Sequence, residues 1–447
     1  MNNYVTVYIL NHNYGQYLKQ AIESVLEQTY SFIEIIIIDD GSTDDSVEIL
    51  DNFEKIKNIK IVRQKNQGLI KCNNIALNLS TGEFIIRLDA DDYLHPNAIE
   101  YLVKALKSKP TASLAYANYF EIDANGRIKR EIILDNDKEL RNVLETPMHG
   151  ACTLFRKSDL VESGGYDENF TRQDGYYIWL FFNDINKIVH VNFPIFYYRK
   201  HRNNLTNDTN LLLETRSYIT KKHLELRNLN VPPIITVIPI GDHFLEDDNH
   251  PLGKLKNKPL IDWTLEQALK LDGSIKTIVS TSSLDLIEYI ETNFPQIEIN
   301  FRKSNVSFLA DSYIDAVRES TYNYQNCFEY VFILEIENPF RNPKVLNNAT
   351  YVAKLLNYDS VIGVREEGDL TYRKVNGNLR RIIEDDRVRF EREKLFKRQG
   401  GFALVNKEFL FNSNNIIGGK AGYILIGDKD ALEIAEIRRV MELIKNA

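Results

Sequence analysis

The sequence has few cysteines and no surplus of positive charge, and both features exclude classes of protein. Its three cysteines, Cys72, Cys152 and Cys327, stand too far apart for a CxxC-type zinc site or a disulfide framework, as expected in a reducing compartment. The formal net charge is -8, whereas a surface that neutralises nucleic-acid phosphates needs an excess of lysine and arginine. We therefore expect no disulfide scaffold, no structural zinc and no nucleic-acid partner.

Long apolar runs are also missing. Nothing in the chain approaches the roughly 20 apolar residues that span a bilayer, and the first residues, Met1 to Tyr4, do not resemble a signal peptide. We expect a cytoplasmic protein. Peripheral attachment at the inner face of the membrane stays open, because an interfacial helix needs only one apolar face.

The length of 447 residues favours two domains, since one hydrophobic core rarely serves so long a chain. Residues 227–233 read Arg-Asn-Leu-Asn-Val-Pro-Pro, which breaks a helix, and a new strand pattern starts at Ile234. We predict a first domain over residues 1–228, a linker over 229–233 and a second domain over 234–447.

The first half alternates strand and helix patterns. Residues 4–10, 34–38 and 84–88 read as strands, and apolar residues recur at helical spacing between them. Ser42 and Asp45 are spaced as a capping box for one of the helices. Strands separated by helices specify right-handed βαβ units, so the predicted class is α/β, with a mostly parallel sheet and flanking helices. The second half alternates in the same way.

Acidic residues follow the predicted strands of the first domain. Asp39-Asp40 ends one strand, Asp89-Ala90-Asp91-Asp92 ends another, and Asp174 precedes a predicted helix. Ligands of parallel sheets bind at the carboxyl ends of the strands, so these carboxylates are expected to converge. Each cluster alone is also typical of a solvated loop or a helix cap. Together they favour a Mg²⁺ or Mn²⁺ site shared with substrate phosphates, and Asp174 suits a general base.

Residues 1–205 resemble the inverting family 2 glycosyltransferases of the GT-A fold. The resemblance rests on ordered motifs: Asn-His-Asn-Tyr-Gly at 11–15, Asp-Asp-Gly-Ser-Thr-Asp at 39–44, Asp-Ala-Asp-Asp at 89–92, Gly-Gly-Tyr-Asp at 164–167, Gln-Asp at 173–174, and Tyr-Arg-Lys-His at 198–201. A series in this order is more specific than a single DxD motif.

The resemblance implies roles for single residues. Asp174 would be the catalytic base, and Asp91 and Asp92 would bind the metal. The residues implied in binding the donor nucleotide are Asn11, Asp40, Lys71, Asp89, Arg199 and His201. The sequence departs from the family at Asn73, which stands in place of an arginine. Lys71 is the nearby cation, although an ammonium cannot reproduce the two parallel hydrogen bonds of a guanidinium.

Residues 234–447 resemble the cytidylyltransferases that make CMP-activated acidic sugars. The motifs are Val-Ile-Pro at 237–239, Asn-Pro-Phe-Arg at 338–341 and Gln-Gly-Gly-Phe at 399–402. Where relatives carry a phosphate-binding loop, this chain has Asp242, Glu246, Asp247 and Asp248, which would repel a triphosphate. We predict a non-catalytic domain that serves dimerisation, sugar recognition or docking of a partner enzyme, with a homodimer as the expected assembly.

The predicted function is transfer of a sugar from a nucleotide-diphosphate sugar to an acceptor hydroxyl during cell-surface glycan synthesis. The acceptor would be a glycan or a lipid-linked or protein-linked hydroxyl. An alternative is a bifunctional protein that also activates an acidic sugar with CTP. A scaffold with two inactive halves is a further alternative, against which the complete acidic set of the first domain argues.

Overall fold

Both halves of the protein alternate strands with helices around an open β-sheet. In a computed structural model, the described residues are 4–134, 150–184, 187–202, 204, 208–241, 244, 250–302, 310–367, 372–375, 378–381 and 395–445. The chain forms two compact units, Met1–Thr215 and Arg216–Ala447. The α/β class predicted from the sequence is confirmed for both.

The first unit has a single large sheet. Its strands are β1 (Val5–Asn11), β2 (Ile33–Asp39), β3 (Ile59–Arg63), β4 (Phe84–Asp89), β5 (Tyr93–Leu94), β6 (Leu114–Ile122), β7 (Ile128–Ile132), β8 (Leu154–Arg156) and β9 (Ile188–Arg199). The helices that start in this unit are α1 (Gly15–Leu26), α2 (Ser46–Asp51), α3 (Leu69–Leu79), α4 (Ala98–Ser108), α5 (Lys157–Glu162), α6 (Asp174–Asp184) and α7 (Thr209–Leu226).

The strand order of this sheet is β3-β2-β1-β4-β8-β6-β9-β5, and β7 pairs with β6. Strands β3, β2, β1 and β4 are parallel neighbours, whereas β8 runs antiparallel to both β4 and β6. β1 is buried along its whole length, as expected for a strand covered on both faces. The parallel half therefore places the ends of β1, β2 and β4 at one edge of the sheet.

The start of α2 differs from the prediction. The capping box expected from Ser42 and Asp45 is wrong, because the Ser42 hydroxyl donates to a carboxylate at the end of β2 and Asp45 makes no capping hydrogen bond. Asp44 serves both helices instead: its Oδ2 accepts from the Gly15 amide (2.9 Å) and its Oδ1 from the Ser46 amide (3.1 Å). The carboxylate thereby binds two amides that lack partners at helix N-termini.

The second unit contains a seven-stranded sheet in the order β14-β13-β10-β15-β19-β16-β20 and two short hairpins, β11-β12 and β17-β18. The strands are β10 (Ile234–Pro239), β11 (Lys254–Leu255), β12 (Lys258–Pro259), β13 (Ser274–Thr281), β14 (Glu298–Phe301), β15 (Tyr330–Leu334), β16 (Ser360–Glu367), β17 (Tyr372–Val375), β18 (Asn378–Arg381), β19 (Leu395–Asn406) and β20 (Ala421–Leu425). The helices are α8 (Leu260–Ala268), α9 (Leu284–Asn293), α10 (Ala310–Thr321), α11 (Pro343–Leu356), α12 (Lys407–Asn412), α13 (Asp428–Ala431) and α14 (Ile434–Lys445). Within the described residues, no helix combines the length and apolarity needed to cross a membrane.

Helix α7 ends at Leu226, immediately before the segment predicted to break a helix. The compact units divide earlier, between Thr215 and Arg216, so the C-terminal half of α7 belongs to the second unit. In that half, Lys221 Nζ lies 2.6 Å from Asp272 Oδ2. The boundary at 229–233 stays a prediction, and the contacts of α7 favour an earlier start for the second folding unit.

We expect a fragment of residues 216–447 to be more stable than a fragment of residues 234–447. The shorter fragment loses Ile219 and Leu224, which are fully buried. Each such side chain contributes roughly 1.5–3 kcal/mol, so the free energy of unfolding should fall by about 3–6 kcal/mol. Urea denaturation followed by circular dichroism measures the difference. Equal midpoints for the two fragments would show that the helix adds nothing to this unit.

Candidate functional site

The carboxyl ends of β1, β2 and β4 form the floor of the candidate site. Asn11 pairs with Asp39 in the parallel register, and Leu10 pairs with Asp89. The buried Asn11 donates from Nδ2 to Asp39 Oδ1 (2.8 Å) and to Ser42 Oγ (3.0 Å), and its buried Oδ1 accepts no hydrogen bond within the described residues. The structure thus brings two of the predicted acidic clusters to one edge of the sheet.

The loop after β3 fixes the carboxylate of Asp40. The Asp40 carboxylate accepts hydrogen bonds from Gln64 Nε2 and from the main-chain amides of Gln67 and Gly68, each at 2.8 Å. Burial alone would raise the pKa of Asp40, but these hydrogen bonds outweigh it and hold the pKa below its ordinary value. Asp40 is therefore a buried anion at the edge of the site. Lys71 is exposed on α3, and its ammonium makes no hydrogen bond or ion pair within the described residues.

Asp91 and His201, which come from distant segments of the chain, are in contact. His201 Nε2 lies 2.9 Å from Asp91 Oδ2, and the two side chains are 8% and 9% exposed. The imidazole stacks on the ring of Tyr17 at 5.6 Å and meets Tyr14 edge-on at 5.5 Å. Asn204 accepts from the His201 amide at 2.6 Å and directs Nδ2 toward Asp91 Oδ2 at 3.5 Å. Both partners are thus held in fixed orientations.

Residues 89–92, at the carboxyl end of strand β4, form what we call the acidic turn. Arg199 lies beneath the acidic turn and is only 2% exposed. Its Nε donates to the carbonyl of Asp91 (2.7 Å), Nη2 to Gln20 Oε1 (2.8 Å) and Nη1 to the carbonyl of Ala124 (3.1 Å). The Arg199 amide donates to Asp92 Oδ1 at 2.8 Å. These contacts tie the acidic turn to α1 and to the β6-β7 connection, and a direct contact of Arg199 with a donor stays a prediction.

Three carboxylates crowd the end of β4. Burial, with the negative charge of Asp91 and Asp89, raises the pKa of Asp92 well above its ordinary value, and Asp92 Oδ2 is buried without a hydrogen bond in the described residues. Burial also raises the pKa of Asp89 to about 6, although 31% of this side chain is open to solvent, which favours a smaller shift there.

Such a donor set fits a divalent cation that completes its coordination with a ligand. Within the described ranges, no group of three or more His, Cys, Asp or Glu side chains is placed so that it could hold a metal ion. Mg²⁺ and Mn²⁺ suit carboxylate and imidazole ligands, and Mg²⁺ usually takes its remaining ligands from water and substrate phosphates. The carboxylate of Asp91 and the imidazole of His201, which are in contact with each other, supply two ligands of these types.

Asp174 begins α6 and is 5% exposed. The preceding residue, Gln173, has a left-handed backbone (φ 56°), which directs the chain sharply into the helix. An ion pair joins Arg87 Nη1 to Asp174 Oδ2, and Asn73 Nδ2 donates to the same oxygen at 2.8 Å. Arg87 Nε lies 3.0 Å from Asp89 Oδ1, in poor alignment for a hydrogen bond. One guanidinium therefore connects Asp174 to the acidic end of β4.

A pair of tyrosines lies behind this ion pair. The Tyr8 hydroxyl donates to Asn73 Oδ1 at 3.0 Å and lies 3.0 Å from the Tyr166 hydroxyl. Burial and the charge of Asp174 raise the pKa of Tyr166 to about 12, so its phenol stays protonated. The Gly-Gly-Tyr-Asp motif thereby supplies a neutral hydroxyl to the network around Asp174.

Three residues of the site were not predicted from the sequence: Arg87, Tyr8 and Asn204. Arg87 had a signal: it interrupts the apolar run of β4, where a charged side chain is almost never fully buried without a partner. Tyr8 and Asn204 had none, since a tyrosine in a buried strand and an asparagine in a loop are ordinary. Their contacts depend on elements that meet only in the folded chain.

In the second unit, acidic residues follow the carboxyl end of strand β15, as they follow the carboxyl end of β4 in the first unit. Burial, with the charge of Glu335, raises the pKa of Glu337 to about 7. Arg341 is 3% exposed and donates to the carbonyls of Glu335 (2.7 Å) and Gly401, while Arg398 pairs with Glu335 Oε1 at 3.1 Å. Both arginines thus bond to the protein itself at this strand end.

The acidic loop used to predict a non-catalytic second domain, with Asp242, Glu246, Asp247 and Asp248, lies outside the described residues. Lys258, a cation near that loop in sequence, pairs with Glu266 at 2.7 Å and covers the ring of Trp263. Lys258 is thus engaged by side chains of its own unit.

Comparison with known proteins finds one family match in each half of the chain. Residues 6–163 match the family model Glycosyl transferase family 2, and residues 248–413 match the model Cytidylyltransferase. Chondroitin synthase of Escherichia coli is 29% identical over 196 residues, which cover 42% of this chain and 28% of that protein. Glycosyltransferase GlyG of Streptococcus pneumoniae is 37% identical over 125 residues, 28% of this chain and 41% of that protein.

An uncharacterised glycosyltransferase of Haemophilus influenzae matches over a longer range, with 25% identity over 339 residues, 68% of this chain and 98% of that protein. The chain spans less than half of the length of chondroitin synthase and of GlyG. These three relatives are all glycan synthases or glycosyltransferases by name, and the family 2 match of this chain lies in its N-terminal half. More specifically, the chain contains an N-terminal family 2 glycosyltransferase domain and a C-terminal cytidylyltransferase-like domain.

Proposed function

We propose that this protein is a metal-dependent inverting glycosyltransferase of cell-surface glycan synthesis. It would move a sugar from a nucleotide-diphosphate sugar to an acceptor hydroxyl. The observation that supports this most strongly is the meeting of Asp91 with His201 at the strand edge, with Asp174 linked to the same edge through Arg87. A cation site and a separate carboxylate are the two elements that such a reaction needs.

The donor would bind across the ends of β1, β2 and β4. Asp40 and Asn11 border the part of the site assigned to the nucleobase and ribose, and Asn11 Oδ1 is a buried acceptor without a partner in the described chain. The residues that would hold Mn²⁺ or Mg²⁺ are Asp91 and His201, with Asp89 or Asp92 assisting. When bound, the cation would neutralise charge on the leaving diphosphate.

Asp174 would act as the general base. Its Oδ2 is engaged by Arg87 and Asn73, which leaves Oδ1 to accept the proton of the acceptor hydroxyl. As that proton moves to Asp174, the hydroxyl oxygen attacks the anomeric carbon and the bond to the diphosphate oxygen breaks. The attack occurs from the side opposite the leaving group, so the anomeric configuration inverts. A nucleoside diphosphate and a glycosylated acceptor result.

The acceptor class follows from the relatives. Proteins named chondroitin synthase, hyaluronan synthase and amylovoran biosynthesis glycosyltransferase match this chain. We infer an acceptor hydroxyl on a polysaccharide precursor or on a lipid-linked or protein-linked glycan, at the cytoplasmic side of the membrane.

A panel of nucleotide sugars with and without Mn²⁺ tests this function. A donor that binds the native protein raises its melting temperature by mass action, and the proposal expects this shift only when cation is present. The selected donor is then incubated with acceptor glycans, and NMR of the product reports the anomeric configuration. Retention of configuration would contradict the single displacement, and transfer in EDTA at the full rate would contradict the cation.

The second domain is proposed to be non-catalytic, with dimerisation, sugar recognition or partner docking as its role. CTP activation requires stabilisation of negative charge as pyrophosphate leaves. Among the described residues, the donors of the buried Arg341 are occupied by the carbonyls of Gly401 and Glu335. Sedimentation analysis of the full chain would test the proposed homodimer.

We expect the full-length protein to release no pyrophosphate from CTP with any nonulosonic acid. A coupled phosphate assay measures release against heat-inactivated protein. The same preparation must bind its nucleotide sugar, which shows that it is folded. Release above the inactivated control would favour the bifunctional enzyme instead.

A further inference from the structure

We propose that Arg87 and Asn73 are positioning residues that hold one oxygen of Asp174 and leave the other available for proton transfer. The inference deepens the glycosyltransferase function proposed above and rests on it. It concerns a guanidinium supplied by strand β4, in the middle of an otherwise apolar run.

The contacts on the carboxylate are asymmetric. Arg87 Nη1 and Asn73 Nδ2 both end on Asp174 Oδ2, the second at 2.8 Å. Within the described residues, Asp174 Oδ1 accepts no hydrogen bond. Because two donors approach one oxygen from different elements, rotation of the carboxylate about its bond to Cβ would break both contacts. The arrangement therefore fixes which oxygen is free.

Asn73 is itself held in one orientation. Its Oδ1 accepts from the Tyr8 hydroxyl at 3.0 Å, so its amide must turn Nδ2 toward Asp174. Arg87 Nη1 lies 3.4 Å from the same Oδ1. Tyr8, Asn73 and Arg87 come from β1, α3 and β4, and together they form a buried frame around a residue that begins a fourth element.

The same guanidinium also reaches the donor side of the site. Arg87 Nε lies 3.0 Å from Asp89 Oδ1. A single rigid, planar group thus sets the position of the candidate base relative to the end of β4, where the diphosphate would lie. A lysine could not do this, since its ammonium has no fixed fork of donors.

Stability alone is a poor explanation for this pair. Replacing a buried ion pair by apolar residues of similar volume is often neutral or stabilising, because desolvation offsets the attraction. The neighbours Ile85, Ile86 and Leu88 show that β4 is otherwise apolar. An arginine at this point is better explained by the geometry that it imposes on Asp174.

The test compares Arg87→Met and Asn73→Ala in the full-length enzyme, with kcat, donor KM and calorimetric donor affinity measured for each. Misplacing a reacting group by about 1 Å can cost roughly 10²-fold, so Arg87→Met is expected to lower kcat by roughly 10–100-fold. Asn73→Ala, which keeps all charges, should lower kcat by a smaller factor. Donor affinity should stay within about threefold of wild type, because neither residue is proposed to bind the donor.

Arg156→Met is the matched control. This arginine also lies in the sheet and bonds to main-chain carbonyls of Leu106 and Ala112, but it pairs with Phe84 at the opposite end of β4. It should leave kcat unchanged. A relocation variant, Asn73→Arg with Arg87→Ala, returns a guanidinium to the same space from α3 and should recover at least part of the lost rate.

The outcomes separate the two proposals. Absence of transfer by the wild-type enzyme would reject the proposed function itself. Wild-type transfer with an unchanged kcat in Asn73→Ala and Arg87→Met would reject positioning. A loss confined to donor affinity would make Arg87 a donor-binding residue and overturn the inference. If Arg87→Met does not fold, Asn73→Ala alone decides, since it leaves the ion pair in place.

Discussion

Replacement of Asp174 by asparagine is expected to slow sugar transfer by about 10²–10⁴-fold, the usual contribution of a positioned general base. This corresponds to roughly 3–5 kcal/mol of activation free energy. Asparagine keeps the size of the side chain but cannot accept the proton. Donor affinity should remain close to wild type, and single-turnover transfer measures the rate. A variant that transfers sugar at the wild-type rate would show that Asp174 is structural.

The structure adds a second effect to this variant. Asp174→Asn leaves the buried guanidinium of Arg87 with Asp89 as its remaining anionic partner, and breaking a buried pair typically costs about 3–5 kcal/mol. We therefore expect a lower melting temperature as well. The double variant Arg87→Met with Asp174→Asn removes the unpaired charge and should regain stability without regaining activity. Recovery of both together would mean that the lost rate reflected misfolding.

Replacement of Asp91 by asparagine is expected to abolish the cation dependence of nucleotide binding. Asp91 is the carboxylate in contact with His201, so its loss removes one anionic ligand and leaves diphosphate charge uncompensated. We expect affinity for the nucleoside diphosphate in Mn²⁺ to fall by about 10²-fold or more, to the level seen in EDTA. Calorimetric titration with and without Mn²⁺ measures it.

Asp51→Asn serves as the control for that experiment, because Asp51 is an exposed carboxylate that pairs with Arg63 away from the acidic turn. It should bind nucleotide as the wild type does. If the wild-type protein binds the nucleoside diphosphate with equal affinity in EDTA and in Mn²⁺, the proposed cation site is wrong. A loss in His201→Ala of similar size would support a shared ligand set.

The ends of the strands could be predicted from the sequence because parallel strands place their carboxyl ends together. Asp40, Asp89 and Asp91 were selected on that basis, and the structure brings them to one edge. The resemblance implied a donor-binding role for His201. Its contact with Asp91 was not predicted, since 110 residues separate the two in the chain. Their roles stay predictions until the variants are measured.

The other features of the site and fold could not be predicted, because they depend on contacts between elements that are distant in the chain. Hydrophobic periodicity locates β4 and α3, but it cannot show that Arg87 and Asn73 point at the same oxygen of Asp174. The wrong prediction of a capping box at Ser42 has a similar cause. The Ser42 hydroxyl lies near the ends of two strands and donates to the carboxylate of Asp39 instead. The end of the first compact unit inside α7 was also hidden, since a continuous helical pattern contains no sign of which sheet it contacts.

The position of Arg87 beside Asn73 has an evolutionary consequence. Two guanidinium groups at these positions would compete for one small buried volume. Loss of both groups would leave Asp174 and Asp89 in mutual repulsion. Lineages should therefore exchange the two sites in a correlated manner, with arginine at 73 accompanied by an uncharged residue at 87. Passage between the two states requires an ancestor of reduced fitness or a nearly simultaneous double change. The pair would then act as a phylogenetic marker that sorts related enzymes into two groups.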